Sequence, residues 1–324
     1  MIAAACSLLA AARTVVPAPV KAGDTIAIIS PASAIDSMQV VKATQLLEKQ
    51  GFYIKAMPHV FGSYYGSYAA DDSARAADVM QAFADPSVKA IICSRGGYGS
   101  TRLLPLLDPE VIRDNPKWLV GYSDITALHA YLNKKCNLAS IHGPMCGHIA
   151  KEDLEEESSQ YLLKILTEGL DIKYTFPPSI YNKPGKAKGK LVGGNFLVAN
   201  GIAGTPYDVL NPAEDEDVIL FIEDVGEKIY AIERFLLRMH LAGELGKVKG
   251  LIIGEFTDYK PDEDYPTMEE MIHSHLREWG YYDKADMPIL FYFPAGHGDP
   301  NYPLPLGATA TLDVSKKQAT LTFK

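Results

Sequence analysis

The sequence predicts an α/β protein of two domains, the first of them built on a parallel β-sheet. From Lys21 onward, short apolar runs typical of buried strands alternate with longer segments in which apolar residues recur at helical spacing. This alternation is the pattern of a parallel sheet covered by helices on both faces. At 324 residues the chain is also long for one hydrophobic core, so two domains are expected.

The elements of the N-terminal domain, which we place at residues 21–167, follow one another as strand and helix. Strands are predicted at residues 25–29, near Tyr53, at 89–93 and at 117–121. Helices are predicted at about 35–50, about 72–83 and 125–132. Gly51 closes the first of these helices, as glycine often does just beyond a helix end.

The sequence changes character between residues 168 and 190, where proline, glycine, lysine and tyrosine replace the periodic pattern. This change predicts a linker, followed by a C-terminal domain at residues 191–324. Strands of that domain are predicted at residues 218–222, 248–253 and 289–293, with a hairpin around 315–317. A helix should follow the first of these strands, because apolar residues keep helical spacing there: Ile229, Ile232, Leu236 and Met239.

Residues 1–20 form an apolar N-terminal extension, which we leave out of the predicted fold. The alanine-rich stretch at residues 2–12 is too short to span a bilayer. It is similar to the core of a signal peptide, with small residues for cleavage at 16–18, but no positively charged segment precedes it. Export to the periplasm or cell envelope is therefore kept as an alternative location.

Charge and cysteine content exclude several classes of function. There are 31 lysine and arginine residues against 40 aspartate and glutamate residues, a formal net charge of −9. No basic cluster interleaved with aromatic residues occurs, so a nucleic-acid partner is not expected. The four cysteines form no Cys-x-x-Cys pair, which argues against a zinc site or a disulfide framework. We expect neither a metal nor an organic cofactor.

Ser123 lies on a predicted tight turn between a strand ending at Gly121 and a helix with one apolar face. A serine in this position resembles the nucleophile elbow of α/β hydrolases, which exposes the hydroxyl beside free backbone N–H groups. Ile125 stands where that motif has its second glycine. The alternative is that Ser123 or Asp124 simply caps the helix.

Two further polar side chains directly follow predicted strands. Glu223 comes after the apolar run 218–222, and His297 follows the run 289–293 between two glycines that leave its ring uncrowded. Because the carboxyl ends of strands in an α/β protein meet at one edge of the sheet, these side chains are expected to lie near Ser123. The set has the composition of a hydrolase triad. The alternatives are an anion at a helix N-terminus and a solvated loop histidine.

A glycine-rich turn at residues 94–100 follows the predicted strand that ends at Cys93. Its glycines permit a tight turn that directs backbone N–H groups outward. The turn lacks the lysine of a P-loop and the spacing of a dinucleotide fingerprint, so a phosphate site is weakly indicated. A second donor to an oxyanion beside Ser123 is the better interpretation.

Five motifs occur in a fixed order along the chain: Ser94-Arg95-Gly96-Gly97-Tyr98-Gly99, Gly121-Tyr122-Ser123-Asp124, Gly193-Gly194-Asn195, Phe221-Ile222-Glu223-Asp224 and Gly296-His297. Together they resemble the LD-carboxypeptidases of the serine peptidase S66 type, and the resemblance extends from Lys21 to about Gly307. It implies a flavodoxin-like N-terminal domain plus a smaller mixed α/β C-terminal domain. It also implies a homodimer that acts in the cytoplasm on peptidoglycan fragments.

The resemblance further implies roles for individual residues. Ser123, Glu223 and His297 would be the catalytic triad, and the backbone N–H groups of Gly97 and Asp124 would form the oxyanion hole. Residues near these motifs are candidates for substrate binding: Arg95, Gly96, Tyr98, Asn195 and Arg234. The bond cut would join an L-centre to a C-terminal D-amino acid, as in a muramoyl tetrapeptide.

Two alternative functions stay open. A related branch, the microcin C immunity peptidases, hydrolyses a peptidyl adenylate and resembles this chain, but places a tryptophan in the loop before the Gly193 motif. This chain has only Trp118 and Trp279, and its loop at residues 174–190 offers tyrosines instead. The cell-wall branch is therefore favoured. The second alternative is a non-catalytic ligand-binding module on the same sheet.

Overall fold

Two β-sheets and the helices between their strands make up the computed structural model, which describes residues 14–324. The strands are β1 Thr25–Ile29, β2 Tyr53–Ala56, β3 Val88–Cys93, β4 Trp118–Gly121, β5 Ser140–His142, β6 Lys173–Phe176, β7 Gly185–Asn195, β8 Val218–Val225, β9 Gly250–Thr257, β10 Ile289–Leu290, β11 Leu304–Leu306, β12 Thr309–Val314 and β13 Ala319–Phe323. The α-helices are α1 Ser37–Lys49, α2 Asp72–Ala84, α3 Pro109–Asp114, α4 Thr126–Tyr131, α5 Cys146–Glu152, α6 Glu157–Glu168, α7 Phe196–Gly201, α8 Ile229–Leu241, α9 Glu244–Lys247 and α10 Met268–Glu278.

The first sheet has the strand order β11-β5-β4-β3-β1-β2. Its five strands from the N-terminal half run parallel, and their order is the flavodoxin-like one. The point at which the order of the strands reverses lies between β1 and β3. This confirms the predicted flavodoxin-like fold. Ligands of such sheets bind beyond the carboxyl ends of the strands at the reversal, which is where the turns after β1, β3 and β4 meet.

The second sheet has the order β10-β9-β8-β7-β12-β13-β6. Strands β7 to β10 are parallel, whereas β12, β13 and β6 pair in antiparallel fashion. This mixture confirms the predicted mixed α/β character of the C-terminal half. The predicted hairpin around residues 315–317 is the connection between β12 and β13.

The predicted linker at residues 168–190 is not a free connection in the structure. It contains β6 and the first half of β7, both of which belong to the second sheet. Lysine alternates with glycine and alanine in the first half of β7, and this obscured its strand character in the sequence. The second sheet therefore begins before residue 191, and β11 crosses back to pair with β5 in the first sheet.

Part of the predicted N-terminal extension also belongs to the fold. Within residues 14–20, Val15 forms a parallel bridge with Leu138 and Val20 is buried. Leaving this segment out of the fold was wrong, because its backbone continues the hydrogen bonding ahead of β5. Residues 1–13 of the extension, with the signal-like stretch, lie outside the described residues.

Two predicted element ends differ from the structure in ways that affect the site. Strand β8 continues through Val225, so Glu223 lies within the strand rather than after it. Strand β10 stops at Leu290 instead of residue 293, because Tyr292 adopts a positive φ of 61° that turns the chain out of the strand. The long irregular segment that follows carries His297.

The first helical residue after the Ser123 turn joins the two sheets. Thr126 is fully buried, and its Oγ1 accepts a hydrogen bond from the backbone N–H of Asn195 at 2.9 Å. Gly194 approaches so closely that a Cβ there would lie 2.5 Å from the same oxygen. The end of β7 is thereby docked directly against α4.

We expect Thr126→Val to lower the free energy of unfolding by about 2 kcal/mol, because it leaves the Asn195 N–H buried without an acceptor. Urea denaturation measures this loss. Thr126→Ser is the control, since it keeps the hydroxyl and should cost only about 0.8 kcal/mol for one buried methyl group. An equal or larger loss in the serine variant would show that the hydrogen bond does not stabilise this contact.

Candidate active site

Ser123 occupies a strained turn directly after β4. Its φ of 65° lies in the left-handed region, which is uncommon for a residue other than glycine and costs about 1–3 kcal/mol. A single turn of 3₁₀ helix at Ser123–Ile125 follows, and α4 continues from it. This backbone is the sharp strand-to-helix turn that the elbow hypothesis requires.

The capping alternative does not describe what Ser123 and Asp124 do. Neither the 3₁₀ turn nor α4 has a side-chain cap at its N-terminus. The buried Asp124 carboxylate instead accepts a hydrogen bond from the backbone N–H of Ser100 at 2.8 Å. It therefore ties the Ser123 turn to the end of the glycine-rich turn, and leaves the Ser123 hydroxyl free for other chemistry.

The glycine-rich turn packs face to face with the Ser123 turn. A Cβ at Gly96 would lie 2.8 Å from Ser123 Cβ, 3.1 Å from its Oγ and 3.3 Å from the backbone nitrogen of Asp124. Gly97 has a φ of 112°, and a Cβ there would meet Ser33 Oγ at 2.3 Å. Only glycine fits at these two positions without a shift of its neighbours, and the close approach places Gly96 beside both Ser123 Oγ and the backbone nitrogen of Asp124.

We expect Gly96→Ala to lower kcat/KM of the enzyme proposed below by about a hundredfold, because a shift of about 1 Å at the nucleophile is enough for such a loss. Stability should fall by about 1–3 kcal/mol, as for other overpacked sites. Steady-state kinetics and thermal denaturation measure the two effects. Gly201→Ala is the control, since no atom lies within 4 Å of its added methyl group; a similar loss of activity in that variant would contradict the steric argument.

His297 and Glu223 are joined by a short hydrogen bond. His297 Nδ1 lies 2.8 Å from Glu223 Oε2, and Glu223 is completely buried. Burial alone would lower the pKa of His297, but the charge of Glu223 and this hydrogen bond raise it above its usual value. Gly296 makes the approach possible, because a Cβ there would lie 2.7 Å from the carboxylate oxygen.

Ser123 and His297 line the same cavity, which has a volume of about 380 Å³. Three other predicted residues line it as well: Arg95, Gly96 and Gly97. Within residues 14–324 no hydrogen bond joins the Ser123 hydroxyl to His297. Hydrogen bonds between catalytic groups are often long in an unliganded site and shorten when substrate binds.

Two residues predicted to bind substrate lie elsewhere. The side chain of Asn195 is buried, where it donates to Asp224 at 3.1 Å and accepts from the backbone N–H of Val198 at 3.1 Å, capping α7. Arg234 lies on the exposed face of α8, with its guanidinium 5.5 Å from the Tyr230 ring centre. Neither side chain lines the cavity, and their role in substrate binding stays a prediction. Tyr98 is exposed beside the cavity without lining it.

Several cavity residues were not predicted from the sequence: Gln39, Ser94, Tyr122, Met145, Gly147 and His148. The Tyr122 ring contacts His297 edge to face at a centroid distance of 5.1 Å. Burial and the charge of Glu223 raise the pKa of the Tyr122 hydroxyl, so the ring is neutral and shields the His297 imidazole on one side. The position of Tyr122 directly before Ser123 was the signal that could have identified it.

Asp224 supports the site from behind. Its carboxylate accepts hydrogen bonds from Asn195, from the backbone N–H of Leu197 at 2.7 Å and from that of Val225 at 2.8 Å. Burial and the neighbouring charge of Glu223 raise its pKa to about 7, although these donors oppose the shift. Asp224 thus fixes the end of β8 to the start of α7, and thereby the position of Glu223.

Metal sites and membrane spans were sought in the same part of the chain. Residues 14–324 contain no group of three or more histidine, cysteine, aspartate or glutamate side chains placed to hold a metal ion. None of the helices within these residues combines the length and apolar character needed to cross a membrane.

Comparison with known proteins agrees with this geometry. The model of the LD-carboxypeptidase N-terminal domain matches residues 26–143, and that of the LD-carboxypeptidase C-terminal domain matches residues 188–312. A probable murein peptide carboxypeptidase of Bacillus subtilis is 32% identical over 94% of this chain and 93% of its own length. The murein tetrapeptide carboxypeptidase of Pseudomonas aeruginosa is also 32% identical, over 89% of this chain and 92% of its own.

Further similarity extends to structure and to a second group of relatives. The crystal structure of a muramoyltetrapeptide carboxypeptidase from Oxalobacter formigenes superposes with a TM-score of 0.80 at 29% identity, covering 92% of this chain and 98% of that one. The Microcin C7 self-immunity protein MccF of Escherichia coli is 28% identical over 94% of this chain and 95% of its own. Because the two family models together match most of the chain, and the turns of Ser123 and His297 lie within them, this protein belongs to the LD-carboxypeptidase family.

Proposed function

We propose that this protein is a serine carboxypeptidase that hydrolyses the L,D-peptide bond to a C-terminal D-amino acid in muramoyl tetrapeptides derived from peptidoglycan. One observation carries the proposal: a strained serine turn and a histidine paired with a buried glutamate open into one cavity. The relatives whose names state murein carboxypeptidase activity support the choice of substrate.

In the proposed mechanism Ser123 Oγ attacks the carbonyl carbon of the scissile bond, and His297 takes its proton through Nε2. Glu223 holds the imidazole by Nδ1 and stabilises the imidazolium that forms. The tetrahedral oxyanion is bound by the N–H groups of Gly97 and Asp124, each contributing about 3 kcal/mol. His297 then protonates the leaving amine, which releases the D-amino acid. Water, activated by His297, hydrolyses the acyl-enzyme and frees Ser123.

The similarity to MccF makes a peptidyl-adenylate immunity peptidase the second candidate. An adenine ring needs an aromatic platform, and neither tryptophan of this chain is placed to supply one. Trp118 is completely buried in β4, and Trp279 stacks on His240 and His275 beside α10. Within the segment before β7, Tyr181 is partly buried and packs on His273. These placements favour the cell-wall substrate.

The test is release of D-alanine from a muramoyl tetrapeptide by the purified protein, compared with hydrolysis of an aminoacyl sulfamoyl adenosine. Release of D-alanine without cleavage of the nucleoside analogue is the expected result. Cleavage of the analogue alone would replace the proposal by the immunity function. Saturable binding of the tetrapeptide without hydrolysis would point to a binding module.

We also propose that the protein is a homodimer and acts in the cytoplasm. Light scattering coupled to size-exclusion chromatography tests the first point, and a monomer mass of 35.4 kDa would refute it. Fractionation of cells into cytoplasm and envelope tests the second.

A further inference from the structure

His148 lines the same cavity as Ser123, although it has no part in the mechanism above. It lies on α5, and its Nε2 is 3.3 Å from the carboxylate of Glu156. Both side chains are largely buried, with exposed fractions of 10% for His148 and 16% for Glu156. The imidazole is thus held from behind by a carboxylate while one edge faces the cavity.

Glu156 is itself fixed in place and ionised. At the start of α6 its two carboxylate oxygens accept hydrogen bonds from the backbone N–H groups of Ser158 at 2.7 Å and Ser159 at 3.0 Å. Burial opposes ionisation, but these bonds and the one to His148 lower the pKa of Glu156 below its usual value. A fixed carboxylate orients the His148 ring through Nε2.

Arg95 brings a guanidinium cation to the same cavity. It lies on the glycine-rich turn, two residues before Gly97, and its Nη1 donates a long hydrogen bond of 3.4 Å to the Ala34 carbonyl. No other hydrogen bond of this guanidinium is formed within residues 14–324, so most of its five N–H groups can bind a ligand. We call the two cavity residues Arg95 and His148 together the cationic wall.

We propose that the cationic wall binds the terminal carboxylate of the D-amino acid that leaves, with His148 donating from Nδ1 and Arg95 from its guanidinium. This inference rests on the carboxypeptidase function proposed above. The carboxylate is separated from the leaving nitrogen by one Cα, a distance of about 3 Å. Its binding groups must therefore share a cavity with His297, as Arg95 and His148 do and Arg234 does not.

This arrangement accounts for the requirement of a free chain end. The substrate carboxylate would accept hydrogen bonds from the Arg95 guanidinium and from His148, and hydrogen bonds between charged groups are the strong ones. A C-terminal amide keeps the shape of the substrate but loses the charge. A further residue in the same position would likewise replace the charged carboxylate by a neutral peptide group. We therefore expect an exopeptidase.

The experiment compares a tetrapeptide ending in D-alanine with the same peptide ending in D-alaninamide, using the wild type, His148→Gln and Arg95→Met. Each variant should lower kcat/KM for the acid about 10- to 100-fold, the range for a hydrogen bond to a charged group, mainly through KM. The value for the amide should fall less, because its neutral oxygen accepts weaker hydrogen bonds from the same donors, so the preference for the acid decreases. His275→Gln is the matched control: His275 pairs with Glu233 at 2.9 Å and is 13% exposed, but lies on α10 outside the cavity.

The outcomes separate this inference from the proposed function. If the wild type releases no D-alanine, the carboxypeptidase function fails. If the wild type releases D-alanine, but kcat/KM of the variants falls equally for both peptides or for neither, only the assignment of the carboxylate site is overturned. To separate misfolding from loss of the site, binding of the acid and of the amide is measured by calorimetric titration. The proteins compared are Ser123→Ala and the double variant that also carries His148→Gln. A loss of affinity that is larger for the acid than for the amide supports the cationic wall.

Discussion

Ser123→Ala is expected to lower kcat for D-alanine release by about 10⁴- to 10⁶-fold, the range for loss of a triad nucleophile. Without Oγ no acyl-enzyme can form, and only the polarised carbonyl and the bound geometry remain to assist a water molecule. Affinity for the tetrapeptide should stay close to that of the wild type, because the hydroxyl contributes little to ground-state binding. Single-turnover kinetics and calorimetric titration measure the two quantities.

The strained turn provides a second readout for the same variant. Alanine keeps the Cβ of Ser123, so the φ of 65° and its strain persist, and the thermal midpoint should hardly change. Ser94→Ala is the control, since Ser94 also lines the cavity but its hydroxyl is 2.7 Å from that of Ser30. Comparable loss of kcat in the Ser94 variant, or full activity of Ser123→Ala, would remove Ser123 from the role of nucleophile.

Glu223→Gln should lower kcat by about 10³- to 10⁴-fold, as removal of the acidic triad member does in other serine hydrolases. The amide keeps the size of the side chain but offers no charge to the imidazolium. Because Glu223 raises the pKa of His297, its loss should also move the acidic limb of the rate profile to lower pH. The direction follows from the role of His297, which acts as a base only when neutral.

The rate profile of the wild type should therefore fall as the pH decreases through a value above 6.5, the usual pKa of histidine. The residual activity of Glu223→Gln should show the same acidic limb, but at lower pH than in the wild type. Asp224→Asn is the comparison: Asp224 makes no hydrogen bond to His297 and raises its pKa less than Glu223 does, so the limb should move less in this variant. A limb that does not move in Glu223→Gln would show that His297 is not the group whose titration controls the rate.

The centre of the first domain could be predicted closely from sequence because β1, β3 and β4 are short, mostly apolar runs that are largely buried. The run before Cys93 and the run before Gly121 are examples, and helices of clear amphipathic pattern separate such runs. Because the apolar pattern of the sequence matches the buried strands of the structure, the turns that follow those strands could also be located from the sequence. The juxtaposition of Ser123, Glu223 and His297 was predicted on that basis, together with the family resemblance.

Other features depend on tertiary contacts that leave no local pattern. Strand β11 is only three residues long and includes Pro305, so nothing in its sequence predicts pairing with β5. In the first half of strand β7 lysine alternates with small residues because one face of the strand is exposed. A pattern with so few apolar residues does not predict a strand. His148 reaches the cavity from α5, and its partner Glu156 caps a different helix.

The segment that bears His297 begins in one sheet, at β10, and ends in the other, at β11. His297, the proposed general base, thus lies on a segment that connects the two sheets, while Ser123, the proposed nucleophile, lies within the N-terminal half. A nascent chain of which only the N-terminal half has been synthesised contains Ser123 but lacks His297 to activate it. Hydrolytic power would arise only when the last strands close across both sheets, so folding of the complete chain would itself be the step that arms the enzyme.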